Sequence, residues 1–279
     1  MKTIIKIILL SFSAAAFFGC DEPIELDLKQ IPPQYVVDAL ITDELTDHYL
    51  KLTTSVGFYT EGRTPGVSGA EVIVSDNEGN HYQYLESETE AGLYKANFEG
   101  KPGNTYSLQI SLPGGESFSA QEEMTPLGSI DSLVWDIDER AQGDPEEEGL
   151  YYRIRIYARE PTATEDYYLF KFFRNDSIQN FDSNTGIFYA DDELISGYIY
   201  GLESPQLYRK GDKATFEMYR ISRDAYLFYN DLDNILNGDG GMYGPSPANP
   251  RTNIISADGL GLGLFQVSAI DRTTIVVGE

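Results

Sequence analysis

The chain has one cysteine and two histidines in 279 residues, so it can form no internal disulfide and offers no soft-ligand cluster for zinc. Neither His48 nor His81 has a partner at zinc-ligand spacing, and both read as solvated histidines on strand surfaces. Basic residues are also scarce. Twenty Lys and Arg against 45 Asp and Glu leave a formal net charge of −25. A field of that sign repels phosphate backbones and anionic headgroups, which argues against nucleic acid as a partner and reads as a solvated acidic surface. The sequence contains no Gly-x-Ser-x-Gly elbow, phosphate loop or dinucleotide fingerprint. After residue 20 no apolar run approaches the roughly 20 residues that a spanning helix needs.

What is present begins at the amino end. Lys2 and Lys6 precede two apolar stretches, 7–10 and 14–18, and Gly19 supplies a small residue. Residues 1–19 therefore read as an export signal. The ending Phe17-Phe18-Gly19-Cys20 resembles the lipobox of bacterial lipoproteins, with Phe17 where Leu is usual. That resemblance implies cleavage before Cys20 and acylation of its sulfur, which would use the single thiol. One acyl chain holds a protein marginally, whereas two or three hold it stably. Asp21 and Glu22 resemble either an inner-membrane retention signal or a surface-export signal. Residues 20–33, with Pro23, Pro32 and Pro33, read as an irregular tether.

Twenty Tyr and 14 Phe, set in short alternating runs, predict a mainly β protein. Over residues 34–125 seven strands are expected, with turns roughly every 8 to 12 residues, as in an immunoglobulin- or transthyretin-like sandwich. Thr105 to Leu112 has the clearest pattern: Tyr106, Leu108, Ile110 and Leu112 alternate with polar residues. A second, β-rich domain is expected over 126–279. There Tyr167 to Phe173 is aromatic on both faces, the mark of a central strand. One helix is expected at about 223–237, capped by Ser222, with Ala225, Tyr229, Leu232 and Leu236 on one stripe. The segment 237–253, rich in Gly and Pro, has no period.

These pieces together resemble the lipoprotein family known as domain of unknown function 4249. The likeness rests on Ala70-Glu-Val-Ile-Val74 with Asp76 to Gly79, Gly92-Leu-Tyr94 and Gly103-Asn-Thr-Tyr106. In the second half it rests on Asn249-Pro250, Asn253-Ile254 and Leu262-Gly-Leu-Phe265. The resemblance implies a Bacteroidetes-type outer-membrane lipoprotein, surface-exposed rather than retained inside, beside a TonB-dependent receptor. It carries no catalytic residues and no cofactor.

Other candidates come from the residues themselves. Asp231, Asp233, Asn237 and Asp239, near a run of glycines, form a candidate cation or ligand loop, to which Tyr243 adds a binding aromatic. Their spacing departs from the EF-hand pattern. Asp131-Ser132-Leu133 and Asp176-Ser177-Ile178 resemble O-glycosylation acceptors, making Ser132 and Ser177 candidate attachment points. Tyr151, Tyr157, Tyr167, Tyr198, Tyr200 and Tyr219 could pack or line a ligand surface. The carboxylate pairs Asp136 with Asp138, Asp191-Asp192-Glu193 and Asp231 with Asp233 suit a glycosidase only if two face each other across a cleft. With the anchor and the absence of catalytic signatures, the resemblance implies a non-catalytic, lipid-anchored accessory protein of a transporter, capturing ligand or acting as its partner subunit. A structural or adhesive surface protein and a carbohydrate-active enzyme are the alternatives.

Overall fold

Alternation of apolar and polar residues builds most of the architecture. In the computed structural model the described residues are 32–57, 60, 62–139, 141, 149–160, 165–178, 186–192, 197–237, 248–257 and 259–278. The signal residues 1–19, Cys20 and most of the tether lie outside them. Pro33–Glu279 forms one compact unit, and its described residues are mainly β with one helix.

The first half contributes β1 (Tyr35–Thr42), β2 (Thr46–Thr54), β3 (Glu71–Asp76), β4 (His81–Glu86), β5 (Leu93–Phe98), β6 (Thr105–Ser111) and β7 (Ser117–Glu123). Each pairs antiparallel with its neighbours among these seven. β4 changes neighbours along its length: Tyr84 back to His81 pairs with β3, while Leu85 and Glu86 pair with β5. The strands therefore form two hydrogen-bonded wings, and both contribute to one sandwich-like core. Val37, Ile41, Leu50 and Leu52 come from one wing, and Val72, Tyr106, Leu108 and Ile110 from the other, all essentially inaccessible. The inward set predicted for β6 is buried as expected. At the β3–β4 turn, Asp76 accepts hydrogen bonds from the Glu78 and Asn80 amides, the Asn80 side chain and the Tyr82 hydroxyl. Burial works against the Asp76 charge, but these donors hold its carboxyl below the usual range. Gly79 closes this turn at φ 89°, a conformation open to glycine.

The second half contributes β8 (Ile130–Ile137), β9 (Tyr152–Arg159), β10 (Tyr167–Arg174), β11 (Ser177–Ile178), β12 (Phe188–Asp191), β13 (Tyr198–Glu203) and β14 (Lys213–Ile221). The helix α1 (Arg223–Asn237) follows, then β15 (Ile255–Ser256), β16 (Gly259–Leu260), β17 (Leu262–Ser268) and β18 (Ile270–Val276). β13, β9 and β8 make one sheet; β11, β10, β14 and β18 make another, with β12 also paired to β10. Ile154 and Ile156 of β9 meet Tyr168, Phe170 and Phe172 of β10 in a second core. The opposite side of β10 presents Tyr167 and Leu169 to Tyr219, Ala225 and Leu264. Burial on both sides explains the aromatic run read as a central strand.

The sheets cross the boundary expected at 125/126. β17 lies parallel to β1, from Val36 opposite Leu262 to Thr42 opposite Ser268. β15 pairs with β7. Phe265, Val267 and Ile254 complete the first core, so a split into successive domains at 125 does not describe the pairing. The physical reason is that the first wing ends on the apolar strand β1, whose open backbone groups need a neighbour. Gly263 makes the parallel pairing close: it sits at φ 101°, and a Cβ there would lie 1.8 Å from the Val37 carbonyl oxygen.

The helix begins where Ser222 was expected to cap it, with Ser222 Oγ accepting from the Ala225 amide at 3.1 Å. Ala225 is buried and Tyr229 and Leu232 are half-buried, but Leu236 is 55% exposed. The apolar stripe therefore ends a turn earlier than expected. His48 also departs from expectation. It is 2% exposed rather than solvated, donating from Nε2 to the Phe98 carbonyl at 3.0 Å and accepting at Nδ1 from the Thr42 amide. Burial lowers its pKa, in keeping with a neutral ring that serves both bonds. His81 is exposed as expected.

Candidate functional site beneath the helix

α1 lies over the ledge made by β1 and β17 without filling the space below it. The recess has a volume of about 280 Å³. Phe228, Tyr229 and Leu232 of the helix form its apolar roof, and Asp38, Lys171 and Gln266 are its polar lining. Each polar group is there because a strand position that would otherwise be apolar carries it. Asp38 follows Val37 on β1, and Lys171 interrupts the aromatic run of β10.

Water reaches the Asp38 carboxylate, yet protein hems it in on most sides. Crowding raises its pKa, opposed by a 3.4 Å hydrogen bond from the Tyr49 hydroxyl and by the charges of Lys171 and Lys51. The same burial lowers the pKa of Lys171, opposed by Glu217 and Asp38. The Lys171 ammonium stands 4.5 Å from the centre of the Tyr219 ring, a cation–π contact. Along the wall, the Tyr229 hydroxyl donates to Gln266 Oε1 at 2.6 Å, and Gln266 Nε2 donates to Ser268 Oγ at 2.9 Å. Chemically, the recess offers one anionic and one cationic group against an apolar cover. That combination suits a small ligand with two polar ends and an apolar flank.

An outer hollow of about 460 Å³ lies along the same helix, lined by Asp224 and Leu227 of α1 and by Asn249 to Thr252. Below it the chain is fixed by Asn253. Its Nδ2 donates to Phe265 O and its Oδ1 accepts from Phe265 N, as a strand neighbour's backbone would. Nδ2 also donates to Glu122 Oε2 at 2.8 Å. Glu122 is 6% exposed on β7, on the face shared with Phe118 and Ala120. Burial pushes its carboxyl up to about 7, against hydrogen bonds from Ser222 and Asn253.

The other sequence candidates are dispersed. Asp231 is held by Arg251, which donates from Nε and Nη2, each at 2.6 Å, and from its amide at 2.9 Å. Asp233 accepts from the Asn237 side chain at 2.6 Å and from the Tyr189 hydroxyl at 3.4 Å. Two residues apart on a helix, Asp231 and Asp233 do not face each other. The expected cation loop is therefore not assembled by its described members; Asp239 and Tyr243 lie outside the described residues, as does Cys20. Asp136 and Asp138 pair with Arg155 and Arg153 across the sheet. Asp191 accepts from the Tyr226 hydroxyl at 3.0 Å, while Asp192 turns toward Glu160 and Asp166; Glu193 is outside the described residues. Ser132 and Ser177 both have exposed side chains. Ser177 follows the two-residue turn Asn175-Asp176, whose φ values of 50° and 63° suit a tight hairpin. Tyr167 and Tyr219 are packing residues, whereas Tyr157, Tyr198 and Tyr200 cluster on β9 and β13, the last 81% exposed.

Asp38, Lys171 and Glu122 were missed in the sequence. The signal for the first two is a lone charge inside Val36-Val37-Asp38-Ala39-Leu40 and Leu169-Phe170-Lys171-Phe172-Phe173. For Glu122 it is the period of two that places it inward with Phe118 and Ala120.

Fold and recess define a chain whose described residues are mainly β, with one helix set over a sheet ledge. Its sequence matches the family described as Domain of unknown function (DUF4249) over residues 21–274, and the chain belongs to that family. A comparison with curated proteins finds no match. Among solved structures, a cytokine receptor complex is similar at 11% identity over 85% of this chain and 94% of that one, with a TM-score of 0.26. A DUF4785 family protein from Legionella pneumophila is similar at 8% identity over 67% of this chain and 52% of that one, with a TM-score of 0.25. Likeness at that level carries no argument about this chain. Among the described residues no helix is long and apolar enough to cross a membrane.

Proposed function

We propose that the chain is a lipid-anchored, surface-displayed outer-membrane protein that holds a small ligand in the recess beneath α1 and serves a TonB-dependent receptor as an accessory subunit. The observation that carries the binding role is that Asp38 and Lys171, opposite charges, line one recess under an apolar roof. The role is capture rather than conversion: Tyr49, Tyr229 and Gln266 already have hydrogen-bond partners that fix the walls. The anchor rests on Cys20, which stands directly before the family's domain at residue 21. The receptor as partner rests on the resemblance drawn from the sequence.

A second reading, adhesion to a surface component, is favoured by the exposed tyrosine cluster. Tyr157 and Tyr200 meet edge to face at 5.1 Å and Tyr198 lies beside them.

Cys20→Ala is expected to move the chain out of the outer-membrane fraction, while the wild type carries acyl mass on its amino-terminal residue. Fractionation with intact-mass spectrometry checks both. Retention of the variant in the same membrane, or a bare amino terminus in the wild type, contradicts the anchor. Recovery of the tagged wild-type chain from gently solubilised outer membranes without any transporter contradicts the partner.

A further inference from the structure

At one end of the second half, four strand termini meet. Glu160 follows β9, Asp166 precedes β10, Asp192 follows β12 and Gly197 precedes β13. The three carboxylates each place an oxygen within 4.8 Å of the others. Glu160 is 7% exposed and Asp166 fully buried, while Asp192 is half-buried and gives the cluster its opening.

Their partners do not balance their charge. Arg220 pairs with Asp166 through Nη2 and donates from Nη1 and Nη2 to the carbonyls of Glu165, Tyr167 and Ile221. The Tyr168 hydroxyl, which is neutral, donates to Asp166 Oδ2 at 3.4 Å and also interacts with the Glu160 carboxyl. Glu160 Oε2 accepts from the Gly197 amide at 3.3 Å. Its other oxygen, Oε1, is buried and receives no hydrogen bond. A buried carboxylate oxygen left bare is costly, and more so beside two like charges. Three carboxylates against one guanidinium leave two negative charges, the amount one divalent cation supplies.

We propose that Glu160, Asp166 and Asp192 bind one Ca²⁺ ion, which fastens the ends of β9, β10, β12 and β13. The donors are all hard oxygens, which suit Ca²⁺ and disfavour metals that seek sulfur or imidazole. Ligands on opposite sides of Ca²⁺ stand about 4.8 Å apart, twice a bond of about 2.4 Å, so the observed spread fits its flexible sphere. Asp192, half-open to solvent, leaves room for the water ligands that complete the coordination. The site joins the β13–β9–β8 sheet to the sheet of β10, β12 and β14, so occupancy stabilises the fold and lies apart from the recess beneath α1.

The test uses the full chain stripped with chelator, then titrated with CaCl₂ by calorimetry and by thermal unfolding. One Ca²⁺ per chain is expected, with Tm rising by about 5 °C at roughly 100-fold excess over Kd. Glu160→Gln and Asp192→Asn are each expected to weaken binding at least about 10-fold. If Glu160→Gln does not fold, Asp192→Asn decides, because its side chain is only half-buried. Absence of a Ca²⁺-dependent shift in the wild type overturns the proposal, and so does an undiminished response in Asp192→Asn. A wild type stabilised by acid but indifferent to Ca²⁺ also overturns it, since a proton would then occupy the place assigned to the ion.

Discussion

Arg220→Ala is expected to lower unfolding free energy by about 4 kcal/mol, the range found when one partner of a buried ion pair is removed. Arg220 is 5% exposed and Asp166 fully buried. Truncation leaves the Asp166 carboxylate without its cation. It also strips hydrogen bonds from the carbonyls of Glu165, Tyr167 and Ile221, and takes the guanidinium from above the Tyr168 ring, 5.7 Å away. Lysine in its place restores the charge but not a planar fork reaching several acceptors, so Arg220→Lys is expected to recover only part of the loss. Urea unfolding measures both. Arg159→Ala serves as the contrast: its side chain is 72% exposed beside Asp131, and a loss under about 1 kcal/mol is expected. Equal losses at the two positions would mean that Arg220 does not hold β10 and β14 in the way described.

Glu122→Gln is expected to stabilise the protein above pH 7 by up to about 3 kcal/mol and to leave it unchanged below pH 4.5. The folded carboxyl titrates at about 7, against an ordinary value of 4.5. Between those values the folded chain keeps a proton that the unfolded chain has released. Stability from this residue therefore falls as pH rises through that window, and above it a buried charge remains. Glutamine keeps the shape and stays neutral, so the wild-type and variant curves should meet in acid and separate toward pH 8. Unfolding free energies from pH 4 to 8 give the comparison directly. A constant offset, or a variant less stable at pH 8, would show that Glu122 is held as an ion by Asn253 and Ser222.

Where one element decides its own structure, the sequence could be read. In β6 the alternation of Tyr106, Leu108 and Ile110 requires one wet and one buried face, and the strand obeys it. The aromatic run of β10 requires cover on both sides, and β9 with α1 and β17 provide it. Ser222 marks the start of the helix by supplying an acceptor for an otherwise orphan amide.

Pairings set by distant partners could not be read. β17 joins β1 from the far end of the chain, and parallel pairing leaves no turn between its strands to announce it. His48 sits between Asp47 and Tyr49 in a polar stretch, but the Phe98 carbonyl and Thr42 amide that bury it come from elsewhere in the fold. Asp231 looked available for a cation until the fold brought Arg251 against it. The recess was hidden for the same reason. Asp38 and Lys171 stand out as charges within apolar strands, yet only the closure of α1 over β1 and β17 puts them in one space.

The proposed capture role is tested most directly by what the protein carries with it through purification. The tagged full chain and a Leu232→Trp variant, in which the larger side chain fills the recess, would be purified in mild detergent from the cells that make them and denatured. The small molecules released would then be identified and counted by mass spectrometry. The account predicts one species at close to one per wild-type chain and its loss from Leu232→Trp, with both proteins folded. Identical small-molecule profiles from the two would contradict a ligand beneath the helix.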